Sequence, residues 1–201
     1  MQRRHGAALA AFIAMATGWS AGLPAWGRDL GPRPPGQFDY YVLTLTWVPS
    51  FCATHRDPRE CGRGLTFALH GLWPENENGD YPSNCSHEAL TPALISENQG
   101  IYASPTLIKH EWSKHGTCSG LAPGDYFKLS DEDAKRVVIP EAYRTPVALK
   151  KKQAKTVAAD FVAANPGLPA DGVTVVAAGS RIGEIRFCVT RDGAFRSCKP
   201  Q

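Results

Sequence analysis

Within six residues, His110, Glu111, Lys114 and His115 bring together two imidazoles, a carboxylate and an ammonium. On a helix, His110 with Lys114 and Glu111 with His115 form adjacent pairs four residues apart, so all four point to a common side. A core would not accept them, because buried charges are costly unless paired. A plain salt-bridged surface has little use for two histidines. Imidazole, with an ordinary pKa of about 6.5, can take or give a proton near neutrality. Acid–base catalysis beside a charge-stabilising lysine is therefore the chemistry these residue types suit best.

Zinc hydrolysis is the rival, since His110-Glu111 begins like His-Glu-x-x-His. The spacing opposes it. Histidines five apart sit roughly 140° around a helix at about 100° per residue, and the charge of Lys114 would repel a cation. No Cys-x-x-Cys pair occurs anywhere in the chain. No metal or cofactor is expected.

A further histidine, His70, stands in His70-Gly71-Leu72-Trp73-Pro74. It closes a strand expected at about 64–69, where Gly71 permits a tight backbone and Trp73-Pro74 stiffens the exit. A first strand is expected over 39–47 from its β-branched and aromatic alternation. Helices are expected at 88–97, 105–117, 123–137 and 146–164; the second opens on Ser104-Pro105, a helix-start signature, and the last closes at Asn165-Pro166-Gly167. Strands return at 173–178 and 182–190. Strands at both ends with helices between them imply an α+β fold: a single domain with a central antiparallel sheet flanked by helices. There is no internal repeat.

Residues 1–27 read as a signal peptide, with Arg3 and Arg4 before an apolar run that is too short for a membrane span. Residues 28–37, rich in proline and glycine, read as a flexible leader to a domain over 38–201. Export favours disulfides over thiol metal sites. Six cysteines allow 15 pairings, and the spacing suggests Cys52 with Cys61, Cys85 with Cys118, and Cys188 with Cys198. The second bridge would tie the loop after His70 to the end of the histidine helix. Cleavage after Gly27 would leave 20 Lys and Arg against 19 Asp and Glu, a net charge of +1. Such a chain is not a general polyanion coat, so affinity for nucleic acid must come from a local site.

The segments His70–Pro74 and His110–Cys118, read as His-Gly-Leu-Trp-Pro and His-Glu-Trp-x-Lys-His-Gly-Thr-Cys, resemble the two active-site signatures of the ribonuclease T2 family. The similarity extends to residues 38–52 and 184–188, and is weak over 125–180. The resemblance implies an α+β fold, single-stranded RNA as substrate, and cleavage through a 2′,3′-cyclic phosphate. It also implies that His115 is the base and His70 the acid, an assignment the residue types alone leave reversible. Lys114 would stabilise the phosphorane, Glu111 would orient or tune His115 and Lys114 with a part in the transition state, and His110 would bind phosphate.

Because the substrate's own 2′-hydroxyl is the nucleophile, DNA should not be cut. Trp73 and Tyr81 are candidates to stack on a base, with Glu75 accepting from an exocyclic amine; the family position of Glu75 often carries Asp. Leu107-Ile108-Lys109 stands where many relatives have an aromatic, so no residues are assigned to a second base pocket. Lys150, Lys151, Lys152 and Lys155 read as a solvated helix face, and Trp47 and Trp112 as core. The expected product is a monomeric enzyme, periplasmic or extracellular, with no membrane attachment in its mature form. A binding protein on the same fold that has lost turnover is the alternative, and the complete set His70, Glu111, Lys114 and His115 argues against it.

Overall fold

The computed structural model describes residues 27–198. Apart from Gly27, the expected signal peptide lies outside the described residues. The fold is α+β, built on one antiparallel sheet of four strands: β1 (Tyr40–Trp47), β2 (Phe67–Glu75), β3 (Val173–Ala178) and β4 (Arg181–Val189), in the order β2-β1-β4-β3. The alternation of β1 divides its side chains between two faces. Tyr41, Leu43, Leu45 and Trp47 join the main core, while Tyr40 and Val42 pack with Cys188 on the opposite face.

Among the described residues, the α-helices in chain order are α1 (Val48–Phe51), α2 (Pro92–Glu97), α3 (Pro105–Lys114), α4 (Pro123–Arg136) and α5 (Ala154–Ala164). The core face of the sheet is covered by Ile108 and Trp112 of α3, Tyr126 and Phe127 of α4, and Val157 and Phe161 of α5. Trp47 and Trp112 are buried there. The start of α3 follows its sequence signal, with Ser104 Oγ accepting from Leu107 N at 3.1 Å just ahead of Pro105.

Several boundaries differ from the sequence reading, each for a local reason. The helix expected from 88 starts at Pro92, because the residue before a proline is held extended. The helix expected over 105–117 ends at Lys114, and Gly116–Cys118 form a tighter 3₁₀ turn. The helix expected from 146 starts at Ala154, because Lys150 pairs with Arg181 and Leu149 O accepts from Ile182 N, which draws that segment onto the sheet edge. The strand expected to end at His70 instead runs on to Glu75. Residues 28–37, expected to be a flexible leader, are tied down: Leu30 N donates to Tyr81 O and Gly36 N to Cys118 O.

The three disulfides are Cys52–Cys61, Cys85–Cys118 and Cys188–Cys198, the pairings expected from spacing. Cys85–Cys118 spans 33 residues, a closure worth roughly 4 kcal/mol on chain-entropy grounds. It is reinforced by Asn84 N donating to Lys114 O at 2.9 Å and Cys85 N to Thr117 Oγ1 at 3.1 Å. The loop after β2 is thereby fixed to the end of α3.

Candidate active site

The ladder between β1 and β2 slips once. Thr44 faces Gly71 and Leu45 faces Leu69, so His70 has no partner on β1. This is a β-bulge, which commonly re-aims a side chain beside an active site. Leu69 and Leu72 both enter the core, and the extra residue between them turns His70 to the face that carries Trp73 and Glu75. His70 thus lies inside an edge strand, not at a strand end.

A cleft of about 430 Å³ opens on this face. It is lined by His70, Trp73, Glu75 and Tyr81 from β2 and its loop, His110, Glu111, Lys114 and His115 from α3 and its cap, and Arg186 from β4. All eight residues singled out from sequence for catalysis or substrate binding therefore share one cavity. Helix α3 splits its side chains, sending Ile108 and Trp112 to the core and Glu111 to the cleft. His115 is the C-terminal cap of α3, not a residue of its interior.

Trp73 organises the centre. Its Nε1 donates to Glu111 Oε2 at 2.8 Å, and its ring stacks on His115 with centroids 5.2 Å apart. His70 meets the same ring edge-on, also at 5.2 Å, and the Arg186 guanidinium lies 4.9 Å from its centroid. The indole is thus occupied by protein groups around its ring. Tyr81 is partly exposed, with Lys114 Nζ 5.9 Å from its ring centroid. His110 is exposed, its ring 6.4 Å from that of His115.

The two histidines are displaced in opposite directions. Burial pulls His70 down, but the hydrogen bond from Nδ1 to Glu184 Oε1 at 2.8 Å and the charges of Glu111 and Glu184 outweigh it, holding the ring above its ordinary 6.5. Burial, then the charges of Lys114, His110 and His70, drives His115 well below 6.5. One imidazole is biased toward keeping its proton and the other toward losing it. Burial also lifts Glu111 to about 7 against the opposing pull of His70, Trp73 and Lys114. Its Oε1 has no hydrogen-bond partner and lies 3.8 Å from His70 Nε2.

Glu75 is 4% exposed. Burial raises it to about 8, opposed by Arg186 and aided by Asp80. For an acid, a raised folded-state pKa means that the folded state holds its proton more tightly than the unfolded chain. The stability from that proton is complete below about 4.5 and is lost as pH rises to about 8. Glu75→Gln is therefore expected to melt near wild type at the acid end of this window and above it at the alkaline end. Thermal melts across the window check this; a constant offset would contradict it.

Sequence reasoning missed two charged residues of this face, Glu184 and Arg186. They stand two apart on β4, opposite Thr46 and Thr44 of β1. The available signal was a pair of charges at strand spacing in an otherwise apolar run, Ile182-Gly183-Glu184-Ile185-Arg186-Phe187. A second hollow of about 480 Å³ also borders His70 and Glu184, with Thr46, Phe51, Leu107 and Val176 in its wall. Among the described residues, no group of three or more His, Cys, Asp or Glu is placed to hold a metal ion.

The ribonuclease T2 family model matches residues 38–198. A ribonuclease of Aeromonas hydrophila is 49% identical over 98 residues, which cover 48% of this chain and 45% of that protein. Ribonuclease DdI of Dictyostelium discoideum is 38% identical over 109 residues, covering 46% and 47%. The chain spans about half the length of the curated relatives it matches. Among solved structures, ribonuclease MC1 from bitter gourd seeds superposes with a TM-score of 0.55 at 25% identity, covering 79% of this chain and 92% of that one. RNase NT, solved with 5′-AMP, superposes at 0.56 with 23% identity, over 80% and 90% of the two chains, a likeness of fold.

Proposed function

The chain belongs to the ribonuclease T2 family, and from that premise we propose that it is an exported endoribonuclease that cuts single-stranded RNA by metal-independent transphosphorylation. The observation that carries this reading is the convergence of His70, His115, Lys114 and Glu111 on one cleft, where the two histidines are displaced in opposite directions. His115, without a proton at mildly acidic pH, takes the proton of the ribose 2′-hydroxyl. The 2′-oxygen then bonds to phosphorus, and the bond from phosphorus to the 5′-oxygen breaks as His70 delivers its proton to that oxygen. The products are a 2′,3′-cyclic phosphate and a free 5′-hydroxyl. Lys114 and His110 meet the phosphate oxygens, and Glu111, whose carboxyl lies 3.8 Å from His70 Nε2, takes part in the transition state.

Tyr81, at the partly exposed side of the cleft, is the better stacking surface for a base, because the ring of Trp73 is already held by His115, Arg186 and Glu111. Uncharged below about 8, Glu75 presents an O–H donor and a carbonyl acceptor to the base edge. The second hollow beside His70 gives room for the nucleoside that departs. Three disulfides suit an oxidising compartment, and among the described residues no helix is long and apolar enough to cross a membrane.

The test is incubation of the oxidised protein with single-stranded RNA, and with DNA of the same sequence, in excess EDTA at mildly acidic pH. RNA should be cut and DNA left intact. Cleavage that EDTA abolishes and added metal restores would contradict the reading, and absence of cleavage would favour a binding protein on this fold.

A further inference from the structure

Building on the ribonuclease reading, we propose that Glu184, held in turn by Arg186, is the positioning residue of the general acid. It locks His70 in the tautomer and orientation that leave Nε2 free to deliver the proton.

His70 is the bulged residue of β2 and has no ladder partner on β1, so its direction must be fixed from elsewhere. In the strand order, β4 lies two positions from β2, or about 10 Å at the usual strand spacing. The β1 residues that face Glu184 and Arg186 are Thr46 and Thr44, whose side chains are short. Across this gap Glu184 Oε1 accepts from His70 Nδ1 at 2.8 Å. The other oxygen, Oε2, accepts from Arg186 Nε at 3.0 Å and Nη2 at 2.6 Å, so each carboxylate oxygen has its own partner. Burial raises the Glu184 carboxyl, but the His70 hydrogen bond, then Arg186, bring it below its ordinary value. As an ionised acceptor it requires a proton on Nδ1.

The proton on Nε2 is then the one available for transfer. At 3.8 Å, Glu111 Oε1 is too far to claim it as a hydrogen bond. The other groups around His70 are Glu111, His110, Lys114 and His115 of α3 and its cap, Arg186 of β4, and Glu60, His55 and Asp57 of the loop containing Cys52–Cys61. Of these and Glu184, only Glu184 is hydrogen-bonded to the ring.

Glu184→Gln tests the proposal without changing size. Arg186 would keep the amide oxygen and turn the amide NH₂ toward Nδ1, disfavouring the protonated ring. Catalytic efficiency on an RNA dinucleotide is expected to fall by on the order of 10²-fold, and the alkaline limb of its pH profile to move to lower pH. The matching nucleoside 3′-(4-nitrophenyl phosphate) has a leaving group that needs no proton, and its cleavage should be nearly unchanged. Equal loss on both substrates, or an unmoved alkaline limb, would reduce Glu184 to a structural ion pair. A wild-type protein inactive on RNA would refute the ribonuclease reading instead. ¹⁵N NMR of the His70 ring in the wild-type protein separates the two failures: Nδ1 is expected to carry the proton in the neutral ring, and a bare Nδ1 would overturn the proposal whatever the activity.

Discussion

His115→Ala and His70→Ala are each expected to lower turnover on single-stranded RNA by about 10² or more, the usual scale for a general acid or base. The two losses should differ in their pH dependence. Activity needs His115 without its proton, so it rises as pH passes upward through a value well below 6.5. It needs His70 with its proton, so it falls as pH passes a value above 6.5. Wild type should therefore show a bell-shaped profile. His115→Ala should lose the acid limb and His70→Ala the alkaline one. Glu111 titrates at about 7 beside His70, so the alkaline limb belongs to the pair and not to either residue. Profiles of catalytic efficiency for the three proteins check this. A near-normal rate in either variant would refute its role, and exchange of the two limbs would reverse the assignment.

Gly71→Ala is expected to cost nearly as much activity while leaving the fold in place. A Cβ at position 71 would overlap the Glu111 carboxylate and Trp73 Nε1, the two groups joined by the hydrogen bond at the centre of the cleft. Gly71 is not among the glycines of positive φ, so space alone forbids the side chain. Making room means separating Glu111 from Trp73, and His115 stacks on that indole. Displacement of this order at a reacting centre costs on the order of 10²-fold in rate, whereas overpacking costs about 1–3 kcal/mol of stability. Gly100→Ala is the control, because nothing lies within 4 Å of a Cβ there. Activity assays with thermal melts decide the matter. Full activity in Gly71→Ala would show that the Glu111–Trp73 contact is not needed.

Local signals made much of this molecule legible beforehand. Ser104-Pro105 starts α3 because a side-chain cap and a proline act on neighbouring residues, and β1 declares itself by alternation over its own length. The cysteine pairs at separations of 9 and 10 are likewise local. What depended on partners was not legible. Gly71 and Pro74 look like strand breakers, yet β2 continues through both because it is an edge strand. The bulge at His70 exists only relative to β1. Glu184 and Arg186 lie more than 100 residues beyond His70, and only the order β2-β1-β4 brings them onto its face. The leader reads as loose from its prolines and glycines, but it is tied by backbone hydrogen bonds to Tyr81 and Cys118 that composition does not encode.

The most direct test of the central claim is ³¹P NMR of an RNA dinucleotide being cleaved by the oxidised protein in excess EDTA. A 2′,3′-cyclic phosphate should appear as the first product and decay only later to a linear monophosphate. A linear phosphate as the first product, or no reaction until a divalent metal is supplied, would contradict transphosphorylation by His115 and His70.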